Sequence, residues 1–166
     1  MKKKQLLLIS IAIFLLVLFD QMIKLIVSNK IPYLDSITII PSFFSLTFVK
    51  NTGAAFSMLE GKINFFVLLS GAAIIGIIYY LYKKFNKKGI TITLGLILAG
   101  IIGNLIDRIR LGYVIDYLDF EFGTYHFAIF NFADICIVIG CFLLIILLWR
   151  EDQHESKNKR TIDHKN

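Results

Sequence analysis

Four long apolar segments constrain this chain more than any other feature of its sequence. They are Gln5–Val27, Ile63–Tyr82, Ile90–Ile109 and Ile129–Trp149, and each has about the 20 residues that a helix needs to cross a bilayer. The chain is 57% hydrophobic with a mean hydropathy of +0.71, which is too apolar for a soluble domain of this size. The sequence therefore predicts an all-α membrane protein with four transmembrane helices, in which residues 1–150 form a single domain.

Basic residues flank these segments in short clusters, which predicts the orientation of the helices. The positive-inside rule places such clusters in the cytoplasm, so we expect an N-in, C-in protein with residues 28–62 and 110–130 on the outer side. The clusters also account for the net charge of +6, so a nucleic-acid partner is not expected. Residues 151–166 are predicted to form a disordered polar tail in the cytoplasm. The clustered residues are Lys2, Lys3, Lys4, Lys83, Lys84, Lys87, Lys88, Arg150, Lys157, Lys159 and Arg160.

The outer segment 28–62 does not have the pattern of a membrane helix. Ser36–Val49 contains Pro41 and is rich in Ile, Phe, Thr and Val, which predicts short strands near the membrane surface. Turn-forming and small residues follow in 50–57, where Gly53 allows close approach of the backbone.

Polar residues of three predicted helices lie at one depth. At about 1.5 Å of rise per residue, Asp20, Asn104 and Asp134 lie about 24, 21 and 22 Å from the cytoplasmic ends of their helices. The hydrocarbon core is about 30 Å thick, so all three belong to its outer third or to the outer interface. Because ionisable groups at membrane depth are costly, they usually mark a functional site.

The spacing of these polar residues allows both structural and functional interpretations. Asp20 and Lys24 are four residues apart, which favours a salt bridge on one helix face. Asn104, Asp107 and Arg108 also share a face, where Arg108 suits either binding of a carboxylate or carbonyl or extension towards the lipid head groups. Asn131 is placed to cap the fourth helix.

Asp116 and Asp134 are the pair of acids that most directly indicates a reaction. Each is expected near the outer end of an apolar helical segment, in 114–117 and 130–135. Two adjacent carboxylates can share a proton and activate water by general acid–base chemistry, so the pair predicts an intramembrane hydrolase. Spacing alone does not distinguish Asp116 from Asp119 and Glu121, and Asp134 is equally suited to a purely structural role in the first helical turn.

Other chemistries have little support in the sequence. Cys136 and Cys141 are five residues apart and point to different faces of a helix, so neither a disulfide nor a metal site is expected. His126 is predicted to be a surface residue, and no serine-hydrolase or zinc-protease motif is present. We therefore expect neither a metal nor a cofactor.

Five motifs, in order along nearly the whole chain up to Trp149, resemble those of the bacterial lipoprotein signal peptidase (signal peptidase II) family. Any one of them would be a weak signal. They are Asp20-Gln-x-x-Lys24, Lys50-Asn-Thr-Gly-Ala-Ala-Phe-Ser57, Gly103-Asn-Leu-Ile-Asp-Arg108, Gly112-x-Val-x-Asp-Tyr117 and Phe130-Asn-x-Ala-Asp134.

The resemblance implies a role for each matching residue. It makes Asp116 and Asp134 the catalytic dyad, and it makes Asp20 and Lys24 the polar pair of the first helix. Asn51, Gly53, Asn104, Arg108 and Asn131 match positions that line the substrate site. It further implies a small extracytoplasmic β-cradle with a mobile flap between the first two helices. The sequence departs from the family pattern at Tyr117, where Phe is common, and at Ala128, where Pro is frequent.

The resemblance also implies the substrate and the location. The expected substrate is a prolipoprotein whose cysteine carries diacylglycerol, cleaved just before that cysteine by a monomeric enzyme. The expected location is the bacterial cytoplasmic membrane, among its lipids, with the active site near the outer face. Two alternatives are a small carrier that uses the acids as a proton relay and a non-catalytic scaffold that binds lipid head groups. The lack of an evident inverted repeat disfavours the carrier.

Overall fold

The fold consists of four long helices and one small antiparallel sheet. The structure is a computed structural model that describes residues 2–53, 59–84 and 88–163. In chain order the elements are α1 (Lys2–Lys30), β1 (Ser36–Ile40), β2 (Phe44–Asn51), α2 (Ile63–Lys84), α3 (Lys88–Leu111), β3 (Val114–Phe122), β4 (Tyr125–His126) and α4 (Phe132–Asp163).

All four helices are long and apolar enough to cross a membrane, as the sequence predicts. The helix α3 is central, because it packs against α1, α2 and α4. In the most apolar 18-residue stretch of α3, 61% of the residues are buried, whereas none are buried in the corresponding stretch of α2. Outward-facing Leu, Ile and Phe side chains on the other helices are exposed, as expected where lipid is the solvent. The chain is therefore a multi-pass membrane protein.

Small residues bring α3 and α4 into close contact. A Cβ atom added at Gly100 would overlap the backbone carbonyl oxygen of Ala133, and one added at Gly140 would lie 2.5 Å from Ile97. Glycine at such positions lets helix backbones approach in a bilayer, where apolar association alone gives little driving force. This contact sets the position of the first turn of α4 against α3.

The four strands form one sheet in the order β1-β2-β3-β4. Val49 on β2 pairs with Asp116 on β3, and the register shifts between Leu46 and Val49. The sheet packs on the C-terminal end of α1 through a buried apolar cluster. Its buried members are Val27, Ile31, Phe48, Ile115 and Tyr117. This packing holds the start of β3 beside the three helices that carry the polar residues.

The sheet extends further along the chain than the sequence predicts. The expected strands in Ser36–Val49 are confirmed as β1 and β2. The prediction that Asp116 lies at a helix end is wrong, because Asp116 lies on β3. Gly112 adopts a φ of 76° and its N–H donates to the Arg108 carbonyl, which ends α3. The alternating residues of 114–122 then form a strand.

The predicted disordered tail also differs from the structure. The helix α4 continues to Asp163, well past the expected start of the tail at residue 151. No Gly or Pro interrupts 150–163, and straight-chain polar residues such as Glu, Gln, Lys and Arg favour helix.

The close contact of α3 and α4 can be tested with two alanine substitutions. We expect Gly100→Ala to destabilise the protein by about 1–3 kcal/mol, because the new methyl group must push α3 away from the α4 backbone. Gly76→Ala on α2 is the matched control, since nothing lies within 4 Å of its added Cβ. Thermal unfolding in detergent measures both. Equal melting temperatures for the two variants would contradict this account of the contact.

Candidate active site

Asp116 is held near the start of β3 by two amide donors. Its side chain is buried, with 2% of the residue exposed. Asn51 Nδ2 donates to one carboxylate oxygen over 2.8 Å, and Asn131 Nδ2 donates to the other over 2.6 Å. Strand β2 supplies Asn51 and the N-terminus of α4 supplies Asn131, so the carboxylate joins the sheet to the fourth helix.

Asp134 lies in the first turn of α4 and takes part in a reciprocal cap. The Asp134 N–H donates to Asn131 Oδ1 over 3.0 Å, and the Asn131 N–H donates to Asp134 Oδ2 over 3.1 Å. This arrangement is a capping box, and it confirms the predicted capping role of Asn131. The other oxygen, Oδ1, accepts a hydrogen bond from Asn104 Nδ2 over 2.7 Å.

Asn131 and Asn104 connect the two carboxylates. Besides its bond to Asp116, Asn131 Nδ2 donates to Asn104 Oδ1 over 3.1 Å. Asn131 therefore caps the helix that carries Asp134 and binds Asp116 with the same side chain. The structure thus places the two predicted acids in one hydrogen-bonded network.

A buried ion cluster supports this network from the side of α1. Lys24 Nζ lies 2.9 Å from Asp20 Oδ2 and 2.9 Å from Asp107 Oδ2, which confirms the predicted Asp20–Lys24 salt bridge. Lys24 also donates to Asn104 Oδ1 over 2.9 Å. Because an ammonium group can only donate, this bond makes the amide oxygen of Asn104 face Lys24 and its NH2 group face Asp134.

Arg108 extends from α3 towards the loop after β2. Its Nη2 donates to the Gly53 carbonyl over 3.2 Å, and its guanidinium lies 5.0 Å from the centre of the Phe66 ring. Of the alternatives that the sequence leaves open for Arg108, a bond to a backbone carbonyl is present. Its Nε is buried and has no hydrogen-bond partner among the residues that the structure describes. Residues 54–58 follow Gly53 and lie outside the described residues, so the mobile flap stays a prediction.

A cavity of about 470 Å³ opens beside the two carboxylates. Its polar lining comes from the acids and their partners. Its apolar lining includes Phe127 and, on α4, Ile135 and Val138. Val138 is 66% exposed on the surface that faces lipid. The polar lining residues are Asn51, Asn104, Arg108, Asp116 and Asp134. The cavity therefore joins a polar site to the membrane interior.

The environment of β3 alters the acidity of two of its side chains. Burial, together with the nearby negative charge of Asp134, raises the pKa of Asp116 to about 7. The two amide donors oppose that increase only in part, because they favour the charged form. Burial also raises the pKa of Tyr117.

The structure separates Asp116 from the two acids that the sequence could not distinguish from it. Asp119 accepts a hydrogen bond from the Thr47 hydroxyl over 2.7 Å. Glu121 lies 3.4 Å from His126, which is exposed as predicted. Among the acids of β3, the described cavity lining contains only Asp116.

Several supporting contacts are missing from the sequence-based predictions. The Phe132 N–H donates to the Tyr117 hydroxyl over 3.2 Å, and the Ala133 N–H donates to Asp20 over 3.0 Å. Both bonds satisfy backbone donors in the first turn of α4. Gln21 donates to Asp107 over 3.0 Å. The available signals were the polar character of Gln21 and Tyr117 within apolar segments and their positions in two of the family motifs.

No metal site is evident in residues 2–53, 59–84 and 88–163. No group of three or more His, Cys, Asp or Glu side chains there is arranged to hold a metal ion. Cys136 is buried and Cys141 is exposed, which confirms that they point to different faces of α4. The polar groups that line the cavity are carboxylates, amides and a guanidinium.

The two roles of Asn131 can be separated by substitution. Asn131→Ala removes both the cap and the donor to Asp116, so we expect a loss of about 0.5–2 kcal/mol of stability and a severe loss of activity. Asn131→Ser retains a capping oxygen but cannot donate to Asp116 as the amide does. We expect Asn131→Ser to recover most of the stability and little of the activity. Melting temperature and turnover are the two measurements, and full activity in Asn131→Ser would contradict the second role.

Comparison with known proteins assigns the chain to a family. Residues 12–150 match the family described as Signal peptidase (SPase) II. A lipoprotein signal peptidase of Halothermothrix orenii is 43% identical over 87% of this chain and 97% of its own length. One from Symbiobacterium thermophilum is 44% identical over 80% of this chain and 88% of its own length.

A solved structure of a bacterial membrane enzyme has a similar fold. It was determined by the in meso method at 2.3 Å resolution, and it superposes with a TM-score of 0.81. The two chains are 34% identical, and the alignment covers 88% of this chain and 90% of the solved one. With the family match over most of its length and relatives above 40% identity, this chain belongs to the signal peptidase II family.

Proposed function

We propose that this protein is an aspartic endopeptidase that cleaves the signal peptide from diacylglyceryl-modified prolipoproteins, just before the lipid-modified cysteine. Membership of the signal peptidase II family supports the substrate class. The observation that carries the mechanism is the pairing of Asp116 and Asp134 through Asn131, beside a cavity that opens towards lipid.

The two carboxylates divide the acid and base roles between them. Asp116, whose pKa is about 7, retains a proton near neutral pH and donates it to the carbonyl oxygen of the scissile peptide. Asp134 accepts a proton from the attacking water and supplies it to the leaving amine as the peptide C–N bond breaks. The hydroxyl of the tetrahedral intermediate returns its proton to Asp116 in the same step. Because water is the nucleophile, no covalent intermediate is required, and Asn104 and Asn131 hold the two acids in place.

A second cavity gives water a route to the acids. It has a volume of about 190 Å³, shares Asn51 and Asp116 with the large cavity, and is also lined by Thr52 and Glu60. The attacking water enters through this smaller cavity. The large cavity accepts the peptide, whose acyl chains lie along the exposed apolar surface at Val138. Arg108 lines the large cavity, so its guanidinium is placed to contact the bound peptide.

The same proposal includes the location of the reaction. We place the acids near the extracytoplasmic face of the bacterial cytoplasmic membrane, with both termini in the cytoplasm, as the lysine clusters predict. Asn51, Asn104 and Arg108 then contact the substrate in the large cavity. Gly53 supports Arg108, and Asn131 supports Asp116. Asp20 and Lys24 support the site from α1. A carrier or a lipid-binding scaffold would use the same acids without cleaving peptide.

The proposed dyad is tested by isosteric substitution. We expect Asp116→Asn and Asp134→Asn each to reduce turnover of a diacylglyceryl-modified precursor by at least about 100-fold, because neither amide can transfer the proton that its acid transfers. Asp119→Asn is the matched control on the same strand, and we expect it to retain activity. The assay uses purified, folded protein in detergent. Near wild-type turnover in either dyad variant would disprove the mechanism.

Wild-type protein that cleaves no precursor would instead indicate one of the alternatives. A carrier would show proton-coupled flux across vesicles. A scaffold would bind lipid and show neither cleavage nor flux.

The raised pKa of Asp116 predicts how activity depends on pH. Below pH 7 the carboxyl keeps the proton that it must donate, and above pH 7 it loses that proton. We therefore expect kcat/KM to fall as pH rises through about 7, with a second fall at acidic pH as the partner acid is protonated. The measurement is a pH profile with the lipid-modified precursor. A flat profile from about pH 5 to about pH 9 would contradict this assignment of the proton.

A further inference from the structure

A groove of about 540 Å³ lies at the end of the helices opposite the two catalytic acids. The helices α1 and α2 each pack against α3 and leave this groove between them, with Leu98 of α3 at its floor. Ile9 and Ile13 line one wall and Ile78 lines the other. The groove is thus an apolar channel between helices that faces the bilayer.

Two lysines lie at the end of this groove that is farther from the catalytic acids. Lys3 belongs to the first turn of α1 and Lys83 to the last turn of α2, and both line the cavity. Lys83 Nζ lies 4.7 Å from the centre of the Tyr79 ring, which restrains its position. No acidic side chain is among the described lining residues. This end of the groove therefore carries two positive charges above an apolar channel.

The length of the groove matches one leaflet. From Lys3 to Ile13 the chain advances 10 residues along α1, which is about 15 Å of helix. Half of the hydrocarbon core is also about 15 Å. An acyl chain that starts at the head-group level beside the lysines would thus end near the midplane.

We propose that this groove is a binding site for one anionic phospholipid. The phosphate lies between Lys3 and Lys83, and one acyl chain lies on Leu98 between α1 and α2. Basic pockets between transmembrane helices bind anionic head groups in this way. The site is separate from the proposed peptidase site, so the proposal does not depend on proteolysis.

The charge of the groove argues against two other occupants. A signal peptide begins with a positively charged segment, which the two lysines would repel. A second copy of this chain would bring its own lysine-rich helix ends to the same level, and like charges would again oppose contact. An anionic lipid is the occupant whose charge complements the site.

The test compares phosphatidylglycerol with phosphatidylcholine on the full chain in mixed micelles. Bound lipid is counted by native mass spectrometry. We expect wild type to retain phosphatidylglycerol in preference to phosphatidylcholine at one site. The double variant Lys3→Gln/Lys83→Gln should bind phosphatidylglycerol about tenfold more weakly, because it lacks both head-group contacts.

Two further variants separate the site from general surface charge. Lys4→Gln/Arg150→Gln removes two exposed charges at the same end of the helices but outside the groove lining, and it should retain the preference. Ser10→Trp fills the channel and leaves both lysines in place, so it should lose the bound lipid. Melting temperatures verify that each variant is folded.

The proposal is overturned by any of three results. The first is equal retention of the two lipids by wild type. The second is an equal loss of bound phosphatidylglycerol in Lys3→Gln/Lys83→Gln and in Lys4→Gln/Arg150→Gln. The third is displacement of bound phosphatidylglycerol by a synthetic signal peptide with a basic end. Loss of lipid preference in Lys3→Gln/Lys83→Gln alone supports it, whatever the peptidase activity.

Discussion

The buried ammonium group of Lys24 is the interaction on which the rest of the site depends. Only 1% of Lys24 is exposed, and the group lies between the carboxylates of Asp20 and Asp107. Removing one partner of a buried ion cluster typically costs about 3–5 kcal/mol, because it leaves an uncompensated charge. The cluster joins α1 to α3, and Asp20 also binds the Ala133 N–H at the start of α4. One cation thus aligns three helices.

The orientation of one amide carries that alignment to the two acids. Lys24 donates to Asn104 Oδ1, so the NH2 group of Asn104 faces Asp134. Asn131 then binds Asn104 and Asp116 together. Each step satisfies a polar group that would be costly to leave unpaired in a low-dielectric site. The network therefore stabilises the helix contacts and also preorganises the carboxylates for acid–base chemistry.

Some of this arrangement could be predicted from the sequence, and the reasons are local. Hydropathy indicated four helices because each span is a continuous apolar segment. Spacing of four residues indicated the Asp20–Lys24 salt bridge, and the position of Asn131 indicated a cap. These features depend on neighbours along one helix. The helical rise per residue also predicts that Asn104 and Asp134 lie at the same depth. The hydrogen bond between their side chains confirms this prediction.

The rest depends on contacts between residues that are distant in the sequence. Spacing alone does not distinguish Asp116 from Asp119 and Glu121, because the three acids follow one another closely along the chain. The position of Asp116 follows from pairing with Val49, 67 residues earlier. Two other contacts likewise cannot be read from neighbouring residues in the sequence. They are the hydrogen bond from the Phe132 N–H to the Tyr117 hydroxyl and the close approach of Gly100 to the α4 backbone. Only the motif resemblance selected Asp116 before the geometry did.

The central claim is that the paired acids cleave a lipid-modified precursor at one bond. The most direct measurement is the N-terminal residue of the product, after the purified chain is incubated with a diacylglyceryl-modified precursor and, separately, with its unmodified form. The account predicts a product that begins at the lipid-modified cysteine and little cleavage of the unmodified precursor. Cleavage at another bond, or equal cleavage of the two precursors, would contradict it.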